Sequence, residues 1–464
     1  MATSLKKGML YVMIANLINL GFNLITNFVL PKELSVENYA MIKTFQLYIS
    51  YAGLFHFGFV DGMYLKYGGK SVNNIKKDDL NTNLSTLRIF QILVTFICTI
   101  VAICLKNPLF ICFSLAVMPI NLENYFKQLY QATGEFGLYG KIMNANTILI
   151  FIANMMWIFI FRVDSGIYFL VSNVVVYFLI WIVLEINCRR MFKDTRYKIF
   201  TFSVKEFINN IRDGILLTVG NLSSVLLTSM DRWFVKALLD TMAFAQYSFA
   251  VSMENFMNVA VTPVTITLYN FFCREKNVDR IKKIRNQVMI FAAVIVSSAF
   301  PARFILETYL RKYLNSSRVM FLLFASQLFY IIIKSIYVNL YKAQGKQRTY
   351  FIKLTLVIVM GFLFNIVCFK IYPAKESFAI GTLLSAIFWY FICFPDFKWL
   401  DYKIRELIYP FVQVIAFLVC GFIFNAIIGI LLYIVCTVVS SLILLPEETK
   451  GMVTMVKDKV SSFR

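Results

Sequence analysis

Fifteen per cent of this 464-residue chain is charged, and a handful of those charges fall inside long apolar runs. An ionisable side chain in hydrocarbon is costly and defaults to a functional candidate. Lys334 is the clearest, seven residues before Tyr341 at the end of its run, about 10 Å deep at 1.5 Å per residue. Lys43 and Arg232 are further embedded cations, suited to holding an anion. Glu254, Glu123 and Asp61 are embedded carboxylates and candidates for ion coupling, because burial can bring such a group into the range where it carries a proton. Some have a plainer reading. Glu123 and Lys127 are spaced i,i+4 and can pair within one helix. Lys43, Arg232 and Lys236 lie near run ends, where a long side chain reaches the interface, and Asp231 can pair locally with Arg232. His56, the single histidine, sits among aromatics as a packed residue would.

Neutral polar residues extend the pattern. Asn16, Asn19, Asn23 and Asn27 step by three, four and four, which places them on one stripe of a helix. Asn221, Ser224, Thr228 and Arg232 repeat those steps 205 residues later. Lys43, Gln46, Ser50 and Asp61 form a face on the second run, and Ser248, Asn255, Asn258 and Thr262 form one on the eighth. Such faces line a water-accessible cavity between two helical bundles, or else hydrogen-bond between packed helices. The duplicated stripe ends on cations, which favours the cavity.

The elements that carry these residues follow from composition. At 59% hydrophobic residues and a mean hydropathy of +0.70, the chain is far from a soluble domain. About 20 apolar residues make one membrane span, and apolar runs predict fourteen helices. These lie near 9–30, 40–60, 84–105, 109–131, 141–161, 166–188, 211–235, 244–272, 287–309, 319–341, 351–371, 377–395, 408–425 and 428–446. The class is an all-α polytopic membrane protein, since helices satisfy their own backbone in lipid. With the N-terminus inside, and residues at span ends counted with the nearer face, 33 of the 46 Lys and Arg residues fall on the cytoplasmic side, 11 on the outer side, and Lys43 and Lys334 within spans. That bias places both termini in the cytoplasm, and the net charge of +21 ceases to argue for nucleic acid. Lys6 and Lys7 open a first uncleaved span rather than a secretory signal. The outer connections are short, the longest being Glu307 to Arg318, and the long basic ones, about 61–83 and 189–210, are cytoplasmic.

A repeat is legible. Met9 to Ser50 slides without a gap onto Gly214 to Asn255, and Leu129-Tyr130-Gln131-Ala132-Thr133-Gly134 recurs as Leu340-Tyr341-Lys342-Ala343-Gln344-Gly345. The expected organisation is two parallel six-helix lobes, 1–200 and 201–400, around a central cavity, then a helix pair with a cytoplasmic tail at 401–464. Asn425 and Gly429 mark the turn of that pair. Pro119 and Pro263 sit inside the fourth and eighth helices as potential kinks. The nine cysteines show no CxxC pair and read as small hydrophobes. No nucleotide loop, dinucleotide fingerprint, zinc spacing or triad order appears, so no catalytic residue, metal or cofactor is expected.

Four short motifs then resemble the O-antigen and polysaccharide-unit flippases of the multidrug/oligosaccharidyl-lipid/polysaccharide exporter superfamily. They are Leu30-Pro31-Lys32-Glu33-Leu34-Ser35 followed by Glu37-Asn38-Tyr39, Phe57-Gly58-Phe59-Val60-Asp61-Gly62, the Asp231-Arg232 pair, and the Leu-Tyr-x-Ala-x-Gly element after the fourth and tenth helices. The resemblance implies two lobes around a cavity whose cations meet a polyprenyl-pyrophosphate-linked oligosaccharide. It also implies a bacterial inner-membrane location, alternating access, and a glycan polymerase and chain-length regulator as partners beside the membrane lipid. Lys43, Arg232 and Lys334 would meet the pyrophosphate and the asparagine stripe the sugars. A multidrug exporter of the same fold, using acidic residues for cationic drugs, is the nearest alternative. A membrane-embedded glycan polymerase or acyltransferase is the more distant one, disfavoured by the short outer loops.

Overall fold

The computed structural model describes the backbone of residues 2–191 and 200–451, with side chains from residue 15 onward except 73, 190–199 and 270. Lys6 and Lys7, the middle of the 189–210 connection and the tail beyond 451 therefore lie outside the described side chains. Every element among the described residues is helical, and the chain is a multi-pass membrane protein. It forms two compact units, 1–226 and 227–464.

Unit 1 contains α1 (Ala2–Glu33), α2 (Val36–Ile49), α3 (Phe59–Tyr67), α4 (Lys77–Cys104), α5 (Pro108–Thr133), α6 (Phe136–Met155), α7 (Gly166–Met191) and the first part of α8 (Val204–Leu238). Polar residues stop and start these rods. Ser35 Oγ caps α2 by accepting from Asn38 N, and Asn107 caps α5, with Pro108 at the position where a missing N–H costs nothing. The expected second span, 40–60, is not one helix. It breaks into a short 3₁₀ turn at Ala52–His56, after which Phe57 (φ 51°) and Gly58 (φ 93°) turn left-handed and α3 begins. Asp61 thus opens α3 rather than closing α2. An irregular backbone at this depth needs internal partners. Gln91 Nε2 donates to Phe55 O at 3.0 Å, Asn121 Nδ2 donates to Ala52 O at 3.1 Å, and His56 Nδ1 accepts from Gly58 N at 3.1 Å.

Unit 2 continues α8 and adds α9 (Thr241–Asn255), α10 (Met257–Arg274), α11 (Val278–Val296), α12 (Ala299–Thr308), α13 (Ser317–Ile332), α14 (Val338–Ala343), α15 (Gln347–Ile371), α16 (Lys375–Cys393), α17 (Ile404–Ile423) and α18 (Ala426–Leu444). The eighth run, expected as one span over 244–272, bends by 41° where α9 meets α10 at Phe256, not at Pro263. Pro119 lies inside an unbroken α5. The α13 region is almost wholly buried and is the centre of this unit. The C-terminal pair is two helices. Asn425 Oδ1 caps α18 by accepting from Ile428 N at 2.9 Å, and Tyr433 Oη ties α18 to Ala293 O of α11 at 2.8 Å.

Among the described residues, eleven helices are long and apolar enough to cross a membrane, or twelve if α9 and α10 count as one span. That is fewer than the expected fourteen. The broken α2 and α3 account for one difference, and α1 begins among side chains outside the described set. The repeated hexapeptide closes its helix in the same way in both units. Gly134 (φ 78°) and Gly345 (φ 69°) are left-handed, and Glu135 N to Tyr130 O and Lys346 N to Tyr341 O are both 2.8 Å. A side chain at either glycine position would strain this C-cap.

Candidate functional site

In unit 2 the charged candidates converge. Thr228 and Asp231 on α8, Glu254 on α9, Gln327 and Tyr330 on α13, and Lys334 just beyond it line a cavity of about 50 Å³. At roughly 10–15 Å³ for each water, that space holds about three to five waters and no sugar ring. Glu254 accepts a hydrogen bond from Gln327 Nε2. Lys334 Nζ stands 5.6 Å from the centre of the Tyr330 ring, a cation–π contact within one helical turn. Lys334 also lies in a π-helical turn, Ile333–Tyr337, an irregularity often found at functional positions. Thr265 Oγ1 bonds Ser335 Oγ at 3.0 Å and Asn339 Nδ2 donates to Thr265 O at 2.8 Å, which fixes α10 against that turn. Gln327, Tyr330 and Lys334 step by three and four. That stripe is present in the sequence, but only its charge stands out there.

Beside this cavity, Asp231 accepts from Tyr247 Oη at 2.7 Å and from Arg232 N at 2.8 Å, so its hydrogen bonds go to groups other than the Arg232 guanidinium. Arg232 Nε and Ser248 Oγ are both buried with no hydrogen-bond partner among the described residues. An offset of 205 maps Arg232 onto Asn27 and places Ser248 on Lys43. In unit 1, Lys43 Nζ donates to Asn27 Oδ1 at 2.7 Å and lies 5.4 Å from the Tyr39 ring centre. Both units thus hold a cation where the polar stripe meets the next helix, on α2 in one and on α8 in the other.

The remaining candidates scatter. Asn16 and Asn23 are exposed on α1 and Asn19 is half-buried. Asn221 and Ser224 are exposed on α8, and of that stripe only Thr228 reaches the cavity. Asp61, 2% exposed, accepts from Thr218 Oγ1 and from Gln128 Nε2 at 3.2 Å, at the crossing of α3 and α8. Glu123, also 2% exposed, pairs with Lys127 at 2.6 Å and accepts from Asn146 at 3.2 Å, which is the intrahelical pair its spacing allowed.

Sequence reasoning missed three polar clusters. One is the buried row on α4, where Arg88 pairs with Glu185 of α7. At the end of α3, Lys66 bridges Asp79 at 2.9 Å and Glu206 at 2.7 Å. Burial works against the Lys66 ammonium, but hydrogen bonds to Glu206 and Asp79 outweigh it and hold its pKa above the ordinary lysine value. In unit 2, the side chain of Arg285 is fully buried on α11. It donates to Leu400 O at 3.0 Å and to Glu406 of α17 at 2.6 Å, and stacks 3.9 Å from the Tyr402 ring. These partners are distant in sequence, so spacing could not reveal them. Among the described residues no group of three metal-binding side chains occurs, and the nine cysteines are free.

No protein-family model matches the chain, and no curated protein matches it. Solved structures do. A lipid II flippase, MurJ, in an inward closed conformation aligns over 95% of this chain and 99% of its own, at 14% identity and a TM-score of 0.59. An outward-facing multidrug resistance MATE family transporter of the MOP superfamily aligns over 86% of this chain and 97% of its own, at 13% identity and a TM-score of 0.52. The chain therefore has the fold of MOP-superfamily transporters.

Proposed function

We propose, on that fold, that the chain is a flippase for a phosphate-bearing, lipid-linked oligosaccharide. It would carry a polyprenyl-pyrophosphate-linked repeat unit, of O-antigen or a related surface polysaccharide, from the cytoplasmic to the outer leaflet of a bacterial inner membrane. The observation that carries the reading is the buried Arg232 Nε, which has no acceptor among the described residues while the hydrogen bonds of the neighbouring Asp231 go to Tyr247 and to the main chain. Buried donors are almost always paired, and a phosphate oxygen supplies the missing acceptor with a charge-assisted bond. Lys43 and Lys334, each over a tyrosine ring, add cations that do not depend on the substrate for their position. The amides of Asn16, Asn19, Asn23 and Asn221 and the hydroxyls of Ser224 and Thr228 suit sugar hydroxyls.

Transport in this reading is by alternating access. Glu254, in the same cavity as Lys334, is the candidate for coupling to an ion gradient, whereas Asp61 is held by Thr218 and Gln128 and Glu123 by Lys127 and Asn146. A glycan polymerase and a chain-length regulator are the partners such a flippase would serve, on the outer leaflet. The decisive test is complementation of a strain lacking the protein. Arg232→Ala and Lys334→Ala should each abolish surface glycan at unchanged protein level and leave single lipid-linked units on the inner leaflet. Normal glycan display in both variants defeats the proposal.

One observation favours a second reading, a multidrug exporter. The unit 2 cavity sets two carboxylates, Asp231 and Glu254, against one lysine, Lys334. Under that reading, loss of the protein lowers resistance to lipophilic cations and leaves surface glycan intact.

A further inference from the structure

Unit 2 holds a second and larger cavity, of about 710 Å³. It lies where α12 and α17 end and α9, α13 and α16 begin, an end of the unit that the distribution of Lys and Arg assigns to the outer face. Its volume falls within the roughly 300–1,000 Å³ typical of small-molecule sites. Six charged residues line it: Arg303, Arg318 and Lys375, against Asp240, Glu307 and Glu376.

Several of these groups are held in place from within. Arg303 Nε pairs with Glu307 Oε1 at 2.7 Å, and its guanidinium also donates to Gly421 O. Lys375 Nζ donates to Gln246 Oε1, and Asp240 accepts from Ala243 N at 2.7 Å as the cap of α9. Three positive and three negative groups leave no excess of either sign. A compact polyanion gains little here, because Arg303 is already paired with Glu307 and Lys375 stands within electrostatic reach of Glu376 and Asp240. A ligand bearing many neutral hydroxyls can donate to the carboxylates and accept from the cations at once. Phe422, 45% exposed, adds an aromatic surface against which the C–H face of a sugar ring can pack.

We infer that this cavity is an outer-face subsite for the uncharged sugar portion of the transported lipid-linked oligosaccharide. The inference rests on the flippase reading and adds where the head group is received after crossing. The embedded cations would deal with the phosphate, the asparagine stripe with the sugars during crossing, and this cavity with the sugars after it.

The test uses the full chain in lipid nanodiscs. The probes are the free oligosaccharide released by mild acid from the host strain's own surface glycan and, separately, inorganic pyrophosphate, both titrated by calorimetry. Saturable oligosaccharide binding is expected, weakened at least tenfold by Ser317→Trp, which fills the cavity, and by Phe422→Ala, which removes an exposed ring. Pyrophosphate should neither compete nor respond to either substitution. If Ser317→Trp misfolds, as judged by its melting profile, Phe422→Ala decides alone.

Oligosaccharide binding that is absent, or unchanged in the folded variants, overturns the inference, and so does competition by pyrophosphate. Whether lipid-linked units accumulate in the deletion strain reports on transport separately. Accumulation without cavity binding removes only the outer subsite, while no accumulation removes the flippase reading and this inference with it.

Discussion

The crossing of α3 and α8 gives the sharpest stability expectation, because two glycines there bring backbone against backbone. A Cβ at Gly214 would overlap Gly58 O and Gly62 N and lie 2.9 Å from Asp61 C, and a Cβ at Gly62 would overlap Asn210 O. No rotamer change relieves a clash with main chain, so Gly214→Ala must push α8 away from α3. Overpacking of this kind costs about 1–3 kcal/mol. Separation also weakens the bond from Thr218 to the buried Asp61 carboxylate, a charged hydrogen bond worth about 1.5–3 kcal/mol. Alanine returns about 1 kcal/mol of helix propensity, leaving a net loss of roughly 1.5–5 kcal/mol. Gly220 lies six residues along the same helix, where an added Cβ would meet nothing within 4 Å, so Gly220→Ala should gain about 0.5–1 kcal/mol. The assay is the fraction of full-length protein that stays monodisperse in detergent after stepwise heating. Gly214→Ala should melt below the unsubstituted chain and Gly220→Ala at or above it. If Gly214→Ala melts no lower than Gly220→Ala, the close crossing of α3 and α8 is refuted.

Two further outcomes follow from buried charges. Asn27→Leu removes the amide that accepts from Lys43, and Lys43→Met removes the cation; their thermal shifts should couple by about 1–2 kcal/mol in a double-mutant cycle, and strict additivity would contradict the 2.7 Å bond. Arg285→Met leaves Glu406 partly buried without its guanidinium, and should destabilise the protein by about 3–5 kcal/mol with earlier proteolysis near α17; a melting curve unchanged from the parent would speak against that pin.

The helical architecture was largely legible in the chain because hydrocarbon imposes a simple rule. Every spanning backbone group must be satisfied within its own segment, so long apolar runs have one regular solution. The Asn425 turn and the paired ends of the repeated hexapeptide could be read for a similar reason, since caps and left-handed glycines act over short stretches of chain. The break at Ala52–His56 was not legible. Its carbonyls are satisfied by Gln91 and Asn121, which are 36 and 69 residues away from their acceptors. The 40–60 run is largely apolar through the break, so periodicity carried no sign of it. The bend at Phe256 likewise falls seven residues before the proline that offered the only local cue.

The candidate site divides along the same line. Composition and spacing by themselves determined that this is a helical membrane protein with a duplicated polar stripe and a few embedded charges, because hydropathy and a 3.6-residue period are local properties. Tertiary packing decided what each charge meets. It gave Glu123 to Lys127 and Asn146, gave Asp61 to Thr218 and Gln128, gathered Glu254, Gln327 and Lys334 around one small cavity, and left Arg232 Nε without an acceptor among the described residues. Whether an embedded charge is a clip or a binding group depends on partners within about 4 Å, and those are set by which helices pack together, not by their order along the chain.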